Sequence, residues 1–143
     1  MKFSIPVFFC LYVLSFTAIG QTTIIKNTIL KDYIEFGQGG GFSGAAKSYI
    51  LTKDGNLYST QNSFIENSAV DFIKKVKKAR TRAIFKFVDN NNINQIHYNE
   101  PENMYSFIYI CINHKKHSII WSNTSSTPPQ SVTELSKKLN NLL

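Results

Sequence analysis

Cysteine is scarce in this chain of 143 residues, which contains only Cys10 and Cys111. Cys10 falls in a segment that we expect to be removed, so the remaining chain cannot form an intramolecular disulfide and must be stabilised by packing. Cys111 stands between Ile110 and Ile112, and no histidine can be assigned to orient it. These surroundings predict a small buried apolar residue and not a catalytic nucleophile.

The apolar run near the start, residues 5–16, is shorter than the roughly 20 residues that a transmembrane helix requires. It follows Lys2 and precedes Ala18-Ile19-Gly20, which matches the cleavage site of a secretory signal peptide. We therefore predict a signal peptide at residues 1–20 and no membrane anchor after its removal. Residues 21–143 have the length of one domain, and we expect a single secreted domain, periplasmic or extracellular.

Acidic residues are few, since nine Asp and Glu oppose 16 Lys and Arg and give a formal net charge of +7 at pH 7. A basic surface attracts acidic partners. Because a secreted protein seldom meets nucleic acid, we expect an acidic protein or carbohydrate as the partner, and no nucleic acid. We also expect no cofactor.

Glycine is concentrated in one stretch, residues 37–44, with the sequence GQGGGFSG. Three of its glycines satisfy the spacing G-x-G-x-x-G, but residues 45–52 have a strand pattern where a dinucleotide site requires a helix. A P-loop is excluded because two alanines separate Gly44 from Lys47. The stretch is either a bulged connection between antiparallel strands or a loop that contacts a partner. In the second case the binding residues would be Gly39, Gly40, Gly41 and Phe42.

Period-two patterns predict strands on both sides of this stretch, at residues 31–36 and 45–52. Asp54-Gly55 then predicts a type I′ hairpin turn, with a return strand at residues 56–60. A weaker apolar run at residues 21–30 is a further strand candidate.

The second half of the chain contains the strongest strand pattern, at residues 105–112, which is apolar on both faces and predicts a central strand. A turn at residues 113–117 and a strand at residues 118–122 complete a hairpin. Pro128-Pro129 predicts a helix start. The apolar stripe of this last helix is Val132, Leu135, Leu139 and Leu142.

Residues 62–93 change from period-two to helical spacing. Apolar stripes at residues 65–76 and 83–88 predict two helices, or one long bent helix. Lysine and arginine are densest between and opposite these stripes. Such a surface is either a solvated helix face or an anion-binding face, whose residues would be Lys74, Lys75, Lys78 and Arg82.

The predicted order β-β-β-α-α-β-β-α indicates an α+β domain: an antiparallel sheet of about four to five strands, from two hairpin units, with helices on one face. The other face is then left to water or to a partner. Tyrosine can bury a large area while its hydroxyl stays hydrated, so an exposed aromatic face would indicate binding. The tyrosines placed to line it are Tyr33, Tyr49, Tyr58, Tyr105 and Tyr109. We expect partner contacts from Tyr49, Tyr105 and Tyr109.

Three histidines, His97, His114 and His117, are candidates for chemistry. We predict no metal site, because Lys115-Lys116 would repel a cation and no Cys or carboxylate lies near in sequence to complete a ligand set. A hydrolase or lyase site around His97 stays open, because such sites are recognised by geometry and not by sequence order. Its candidate partners are Glu100, Glu102 and Asn99.

Several pieces occur together here: a strand ending in residues 37–44, a second strand reaching Tyr49, the Asp54-Gly55 turn, and Trp121 before a helix containing Leu135. In this combination the chain resembles a group of small secreted proteins of unknown function of the Bacteroidetes type. The resemblance covers most of residues 21–143 and implies a periplasmic or extracellular bacterial protein. It brings no catalytic motif and no activity.

The sequence shows no nucleophile with a nearby base, no paired carboxylates and no metal ligand set. We therefore expect a non-enzymatic binding or interaction protein, a class that includes a small inhibitor presenting the glycine stretch to an enzyme. The alternatives are the hydrolase or lyase around His97 and a structural component of the cell envelope.

Overall fold

One sheet of seven strands organises the fold in this computed structural model, which describes residues 31–41, 46–60 and 70–143. In chain order the strands are β1 (Tyr33–Gly40), β2 (Ala46–Thr52), β3 (Asn56–Thr60), β4 (Val70–Lys75), β5 (Tyr98–Glu100), β6 (Met104–Ile112) and β7 (Lys115–Ser122). The helices are α1 (Lys78–Asn90) and α2 (Gln130–Asn140), and a short 3₁₀ turn spans Ile93–Gln95. The predicted α+β class is confirmed, but four to five strands is too low a number. The strand candidate at residues 21–30 lies outside the described residues.

The strand order is β4-β3-β2-β1-β6-β7-β5. All neighbours are antiparallel except β5 and β7, which pair in parallel. Strands β1 to β4 form a meander, and the β6–β7 hairpin joins it through the pairing of β1 with β6. The prediction that residues 105–112 form a central strand is confirmed, because β6 has a neighbour on each side.

The two hairpin turns differ from the predicted ones. At the β2–β3 turn the Gly55 amide donates to the Thr52 carbonyl at 2.9 Å, and Gly55 has a φ of 96°. Asp54 does not share this positive φ, so the type I′ prediction is wrong. The type I′ geometry occurs instead between β6 and β7, where Asn113 and His114 have φ values of 50° and 63°. Strand β7 therefore begins at Lys115, earlier than predicted.

The helical prediction for residues 62–93 is only partly right. Strand β4 occupies Val70–Lys75 at the sheet edge, and α1 begins at Lys78; residues 61–69 lie outside the described part. Pairing with β3 overrides the helical spacing, as expected when a short apolar run can satisfy either pattern. Strand β5 was not predicted, because three residues paired only with β7 carry little local signal.

The helices pack on one side of the sheet, which we call the helix face. Its aliphatic strand residues, Ile34, Leu51, Leu57, Ile108, Ile110 and Ile119, are all buried against the helices. The predicted stripe of the last helix is confirmed, since Val132, Leu135, Leu139 and Leu142 are at most 2% exposed. This aliphatic layer is the larger of the two buried clusters in the described residues.

Candidate functional site

The opposite side of the sheet, the tyrosine face, bears Tyr33, Tyr58, Tyr105 and Tyr109. It was expected to be open. Tyr33 is 7% exposed, Phe107 1% and Cys111 5%, so its centre is buried. Tyr58, Tyr105 and Tyr109 are half-buried. The burial of Cys111 is confirmed, and burial raises the pKa of its thiol, which argues against a thiolate nucleophile.

Two glycines of β1 face aromatic residues of β6 on this side. Gly37 pairs with Phe107, and Gly39 pairs with Tyr105. A Cβ on Gly37 would lie 2.2 Å from the Lys47 carbonyl oxygen, and one on Gly39 would lie 2.7 Å from the Tyr105 hydroxyl. Close packing against the β2 backbone therefore accounts for Gly37 without a ligand, whereas a Cβ on Gly39 would meet only the end of the Tyr105 side chain.

The other two glycines that were predicted to bind a partner, Gly40 and Gly41, lie against the backbone of Asn103. Gly40 has a φ of 103°, and a Cβ there would lie 1.9 Å from the Asn103 carbonyl oxygen. That same oxygen accepts a hydrogen bond from the Gly41 amide at 2.7 Å. Phe42 lies outside the described residues, so its predicted binding role stays a prediction.

The three tyrosines expected to bind a partner are not brought together. Tyr105 and Tyr109 lie on the tyrosine face, whereas Tyr49 lies on the helix face, where its ring centre is 5.7 Å from that of Phe36. Burial raises the pKa values of Tyr33 and Tyr109 to about 12. These groups stay neutral at ordinary pH and do not act as bases.

Glu35 is the one acidic side chain among the buried residues of the described chain, at 2% exposure. It lies on the tyrosine face and accepts a hydrogen bond from the Ser48 hydroxyl at 2.7 Å. The strand pattern of residues 31–36 assigned no role to Glu35. One feature of the sequence could have predicted its burial. Glu35 lies in a strand whose other face is apolar, and if that strand is central in the sheet, neither of its faces is open to water.

A cavity of about 250 Å³ opens on the helix face, between the glycine end of β1 and the end of α2. Its aromatic side chains on this face are the half-buried Tyr49 and the buried Phe36 and Trp121, while Phe107 also borders it although its side chain lies on the tyrosine face. Its polar side chains are Gln38, Lys47, Ser106, Ser136 and Asn140. The Lys47 ammonium lies 5.7 Å from the centre of the Tyr49 ring. This arrangement places aromatic rings beside amide, hydroxyl and ammonium donors.

A second hollow, of about 430 Å³, lies at the other end of the sheet and contains Asp32 and Asp54. Asp32 accepts from the Lys53 ammonium at 2.8 Å and from the Asn113 amide at 2.8 Å. The Lys53 hydrogen bond is the main cause of the lowered pKa of Asp32. Asp54 accepts from Thr52 and Asn56. Both carboxylates therefore already have protein donors.

The enzyme hypothesis around His97 receives no support from the geometry. His97 is exposed, and its ring packs against that of His117 with centres 5.6 Å apart. Glu100 accepts from the Tyr98 hydroxyl at 2.8 Å. Glu102 accepts from three hydroxyls, and the Ser125 hydroxyl is the main cause of its lowered pKa. Each carboxylate is thus hydrogen-bonded to hydroxyl groups, which leaves no carboxylate–imidazole pair around His97 in the described chain.

The residues of the predicted anion-binding face are exposed but divide between two elements. Lys74 and Lys75 belong to β4, while Lys78 and Arg82 belong to α1. Strand β4 ends three residues before α1 begins, so the two pairs are close along the chain, but Lys74 and Lys75 are neighbours in a strand and project to opposite faces of the sheet. Whether the surface binds anions stays a prediction.

Metal ligands and membrane-spanning helices can be sought in the described part of the chain. Within residues 31–41, 46–60 and 70–143, no group of three or more His, Cys, Asp and Glu residues could hold a metal ion. None of the helices in these same ranges is long and apolar enough to cross a membrane.

No protein-family model matches the chain, and no curated protein matches it either. The site must therefore be interpreted from its own chemistry.

Proposed function

We propose that the protein is a secreted, non-enzymatic binding module, and that its ligand site is the helix-face cavity lined by Tyr49, Trp121 and Lys47. The observation that carries the proposal is the chemistry of this lining. Export is supported by the signal-peptide pattern of residues 1–20. A sugar ring with a carboxylate is the ligand class that best fits the cavity.

The size and composition of the cavity favour a single ring-shaped group. Its volume of about 250 Å³ lies just below the roughly 300–1,000 Å³ of sites for drug-sized ligands. The half-buried Tyr49 ring can pack against the apolar side of a sugar ring, while Gln38 and Asn140 can exchange hydrogen bonds with its hydroxyls. The Lys47 ammonium supplies the charge that a carboxylate requires.

The same lining argues against catalysis at this cavity. Its described residues contribute no side-chain carboxylate, imidazole or thiol, so no carboxylate or imidazole base lines the cavity beside the hydroxyls of Ser106, Ser136 and Tyr49. Lys47 is exposed and is therefore not a desolvated base. This lining supports the proposal of binding without turnover.

The test is calorimetric titration of the purified protein with oligogalacturonate and, separately, with a neutral galactan oligomer. We expect the acidic oligomer to bind and the neutral one to bind more weakly. Lys47→Gln should weaken binding of oligogalacturonate about tenfold or more, because a hydrogen bond to a charged group contributes about 1.5–3 kcal/mol. Lys86→Gln, which removes the same charge from an exposed position on α1, is the matched control.

Two results would overturn the proposal. One is equal loss of binding in the Lys47 and Lys86 variants, which would mean that net charge and not the cavity attracts the oligomer. The other is time-dependent cleavage of oligogalacturonate, measured as new reducing ends or as the ultraviolet absorbance of an unsaturated product. Cleavage would restore the hydrolase or lyase alternative.

A further inference from the structure

The corner where β4 meets α1 concentrates positive charge that has almost no acidic counterpart. We call it the basic corner and define it by six residues that are all exposed: Lys74, Lys75, Lys77, Lys78, Arg80 and Arg82. Between residues 70 and 82 the only acid is Asp71. Among the described residues the basic corner makes one ion pair, Lys75 with Asp54 at 3.6 Å, which joins two exposed side chains. The charge therefore remains available to a partner.

Three of these cations also have structural partners. Lys75 donates to the Asn56 side-chain oxygen at 3.0 Å. Arg80 donates to the Asn141 carbonyl at 2.8 Å, and Lys74 to the Leu143 carbonyl at 3.4 Å. The latter two contacts fix the basic corner against the last residues of the described chain. The side chains of Lys77, Lys78 and Arg82 make no hydrogen bond or ion pair with the described residues, so they are the free cations of the corner.

The start of α1 adds to the positive potential. Its first turn contains no acidic residue, and Lys77 at the N-cap makes no side-chain capping bond. The helix macrodipole contributes a partial positive charge at this end. Two lysines at such a helix end repel the dipole, and an external negative group would relieve that repulsion.

An apolar pair precedes Lys74 and Lys75 in the same edge strand. Phe72 is 60% exposed and Ile73 is 41% exposed, two of the four exposed large hydrophobic residues in the described chain. The Phe72 ring is held edge-on by Tyr58, with centres 5.8 Å apart. Ile73 is the extra residue of a β-bulge, because Phe72 and Lys74 pair with the adjacent residues Tyr58 and Leu57.

A soluble polyanion would contact only the cations of the basic corner, whereas a lipid surface would contact both these cations and the apolar pair, Phe72 and Ile73. Aromatic and aliphatic side chains enter the boundary between headgroups and acyl chains while lysines contact anionic headgroups. We propose that the basic corner, with Phe72 and Ile73, docks the protein peripherally on an anionic phospholipid surface. The inference does not depend on the ligand proposed for the helix-face cavity.

The test is co-sedimentation with vesicles of phosphatidylcholine alone or mixed with phosphatidylglycerol. The protein should lack residues 1–20, because an apolar signal segment would itself bind lipid and every described element lies after residue 30. We expect binding only to the anionic vesicles, with loss at high salt because surface charges are screened. The Lys77→Gln/Lys78→Gln double variant should bind roughly 25-fold more weakly, since each lysine near an anionic surface changes the partition constant about fivefold.

Two further variants distinguish docking on a lipid surface from attraction by net charge and from binding of a soluble polyanion. Lys115→Gln/Lys116→Gln removes two exposed lysines from the far hairpin and should keep most of the binding. Phe72→Ser/Ile73→Ser leaves the charge unchanged and should still weaken binding, with circular dichroism confirming that it is folded. Equal loss in the two lysine variants would overturn the proposal. So would full binding by the Phe72 and Ile73 variant together with equal competition by soluble heparin, which would instead indicate a soluble polyanion.

Discussion

The two faces of the sheet are both buried at their centres, but by different chemistry. The helix face is aliphatic, with Ile34, Leu51 and Ile110 packed on the two helices. The tyrosine face buries a carboxylate, serine hydroxyls and aromatic rings beside glycines, and Glu35 and Ser48 are at most 2% exposed there. Apolar packing tolerates a range of similar shapes, whereas buried polar groups require particular partners. The tyrosine face should therefore tolerate fewer kinds of substitution than the helix face.

Truncation on the helix face should have the largest effect on stability. Leu135 is fully buried in α2, so Leu135→Ala should lower the free energy of unfolding by about 2–5 kcal/mol through lost burial and a residual cavity. Urea denaturation followed by circular dichroism measures this change. Leu143→Ala, at a residue that is 55% exposed, is the control and should change stability by less than about 0.5 kcal/mol. Equal effects at both positions would contradict the assignment of the core.

Addition of a single methyl group tests the close packing on the tyrosine face. Gly37→Ala should destabilise by about 1–3 kcal/mol or more, because the new Cβ would meet the backbone of Lys47 and Ser48. Gly41→Ala is the matched control, since its Cβ would meet only the Met104 sulfur, at 3.4 Å. Its cost should be limited to about 1–2 kcal/mol for a positive φ. If the Gly41 variant is the less stable of the two, strand packing does not explain the glycines.

Loss of one hydroxyl tests the buried hydrogen bond. Ser48→Ala removes the donor to Glu35 and should cost about 1–3 kcal/mol, because a buried acceptor then lacks that partner. Ser118→Ala removes an exposed hydroxyl from the same face and should be nearly neutral. Chemical denaturation of both variants gives the comparison. A neutral Ser48→Ala variant would show that this face is no more selective than the helix face.

Alkaline pH should destabilise the protein through the tyrosine face. The pKa of Tyr33 rises from 10.0 to about 12 on burial. Between these values the unfolded chain has released a proton that the folded chain still holds, so stability falls as pH rises from about 10 to about 12. Denaturation midpoints across this range should fall less steeply in Tyr33→Phe than in the parent protein. Identical slopes would mean that Tyr33 ionises in the folded state as it does in the unfolded chain.

Much of the fold could be predicted from local patterns, and the failures have specific causes. The predictions of the α2 stripe and of the central strand β6 are correct because each segment has a strong periodicity and a length typical of its element. The sequence predicts a helix where β4 lies, because the short apolar run there fits both the helical and the strand periodicity. The hairpin turn at Asp54-Gly55 was found but given the wrong type, since the sequence does not distinguish a two-residue loop from a longer loop ending in glycine.

The candidate site was less predictable than the fold. Tyr49 was expected beside Tyr105 and Tyr109, but strand register places it on the opposite face. Its actual neighbours in the cavity include Trp121 of β7 and Asn140 of α2, which are far away in sequence. The role of His97 stays a prediction, and only the structure shows that Glu100 and Glu102 accept hydrogen bonds from hydroxyl groups.

The sequence by itself determined the α+β class, the apolar stripe of α2 and the basic composition, because these depend on local periodicity and on residue counts. Only the tertiary structure decided which side chains meet. It paired Phe107 and Tyr105 with Gly37 and Gly39, buried Glu35, and made β4 the edge strand that leads into α1. The physical reason is that strand pairing and register are set by contacts between distant segments, and a shift of one residue moves every side chain to the other face.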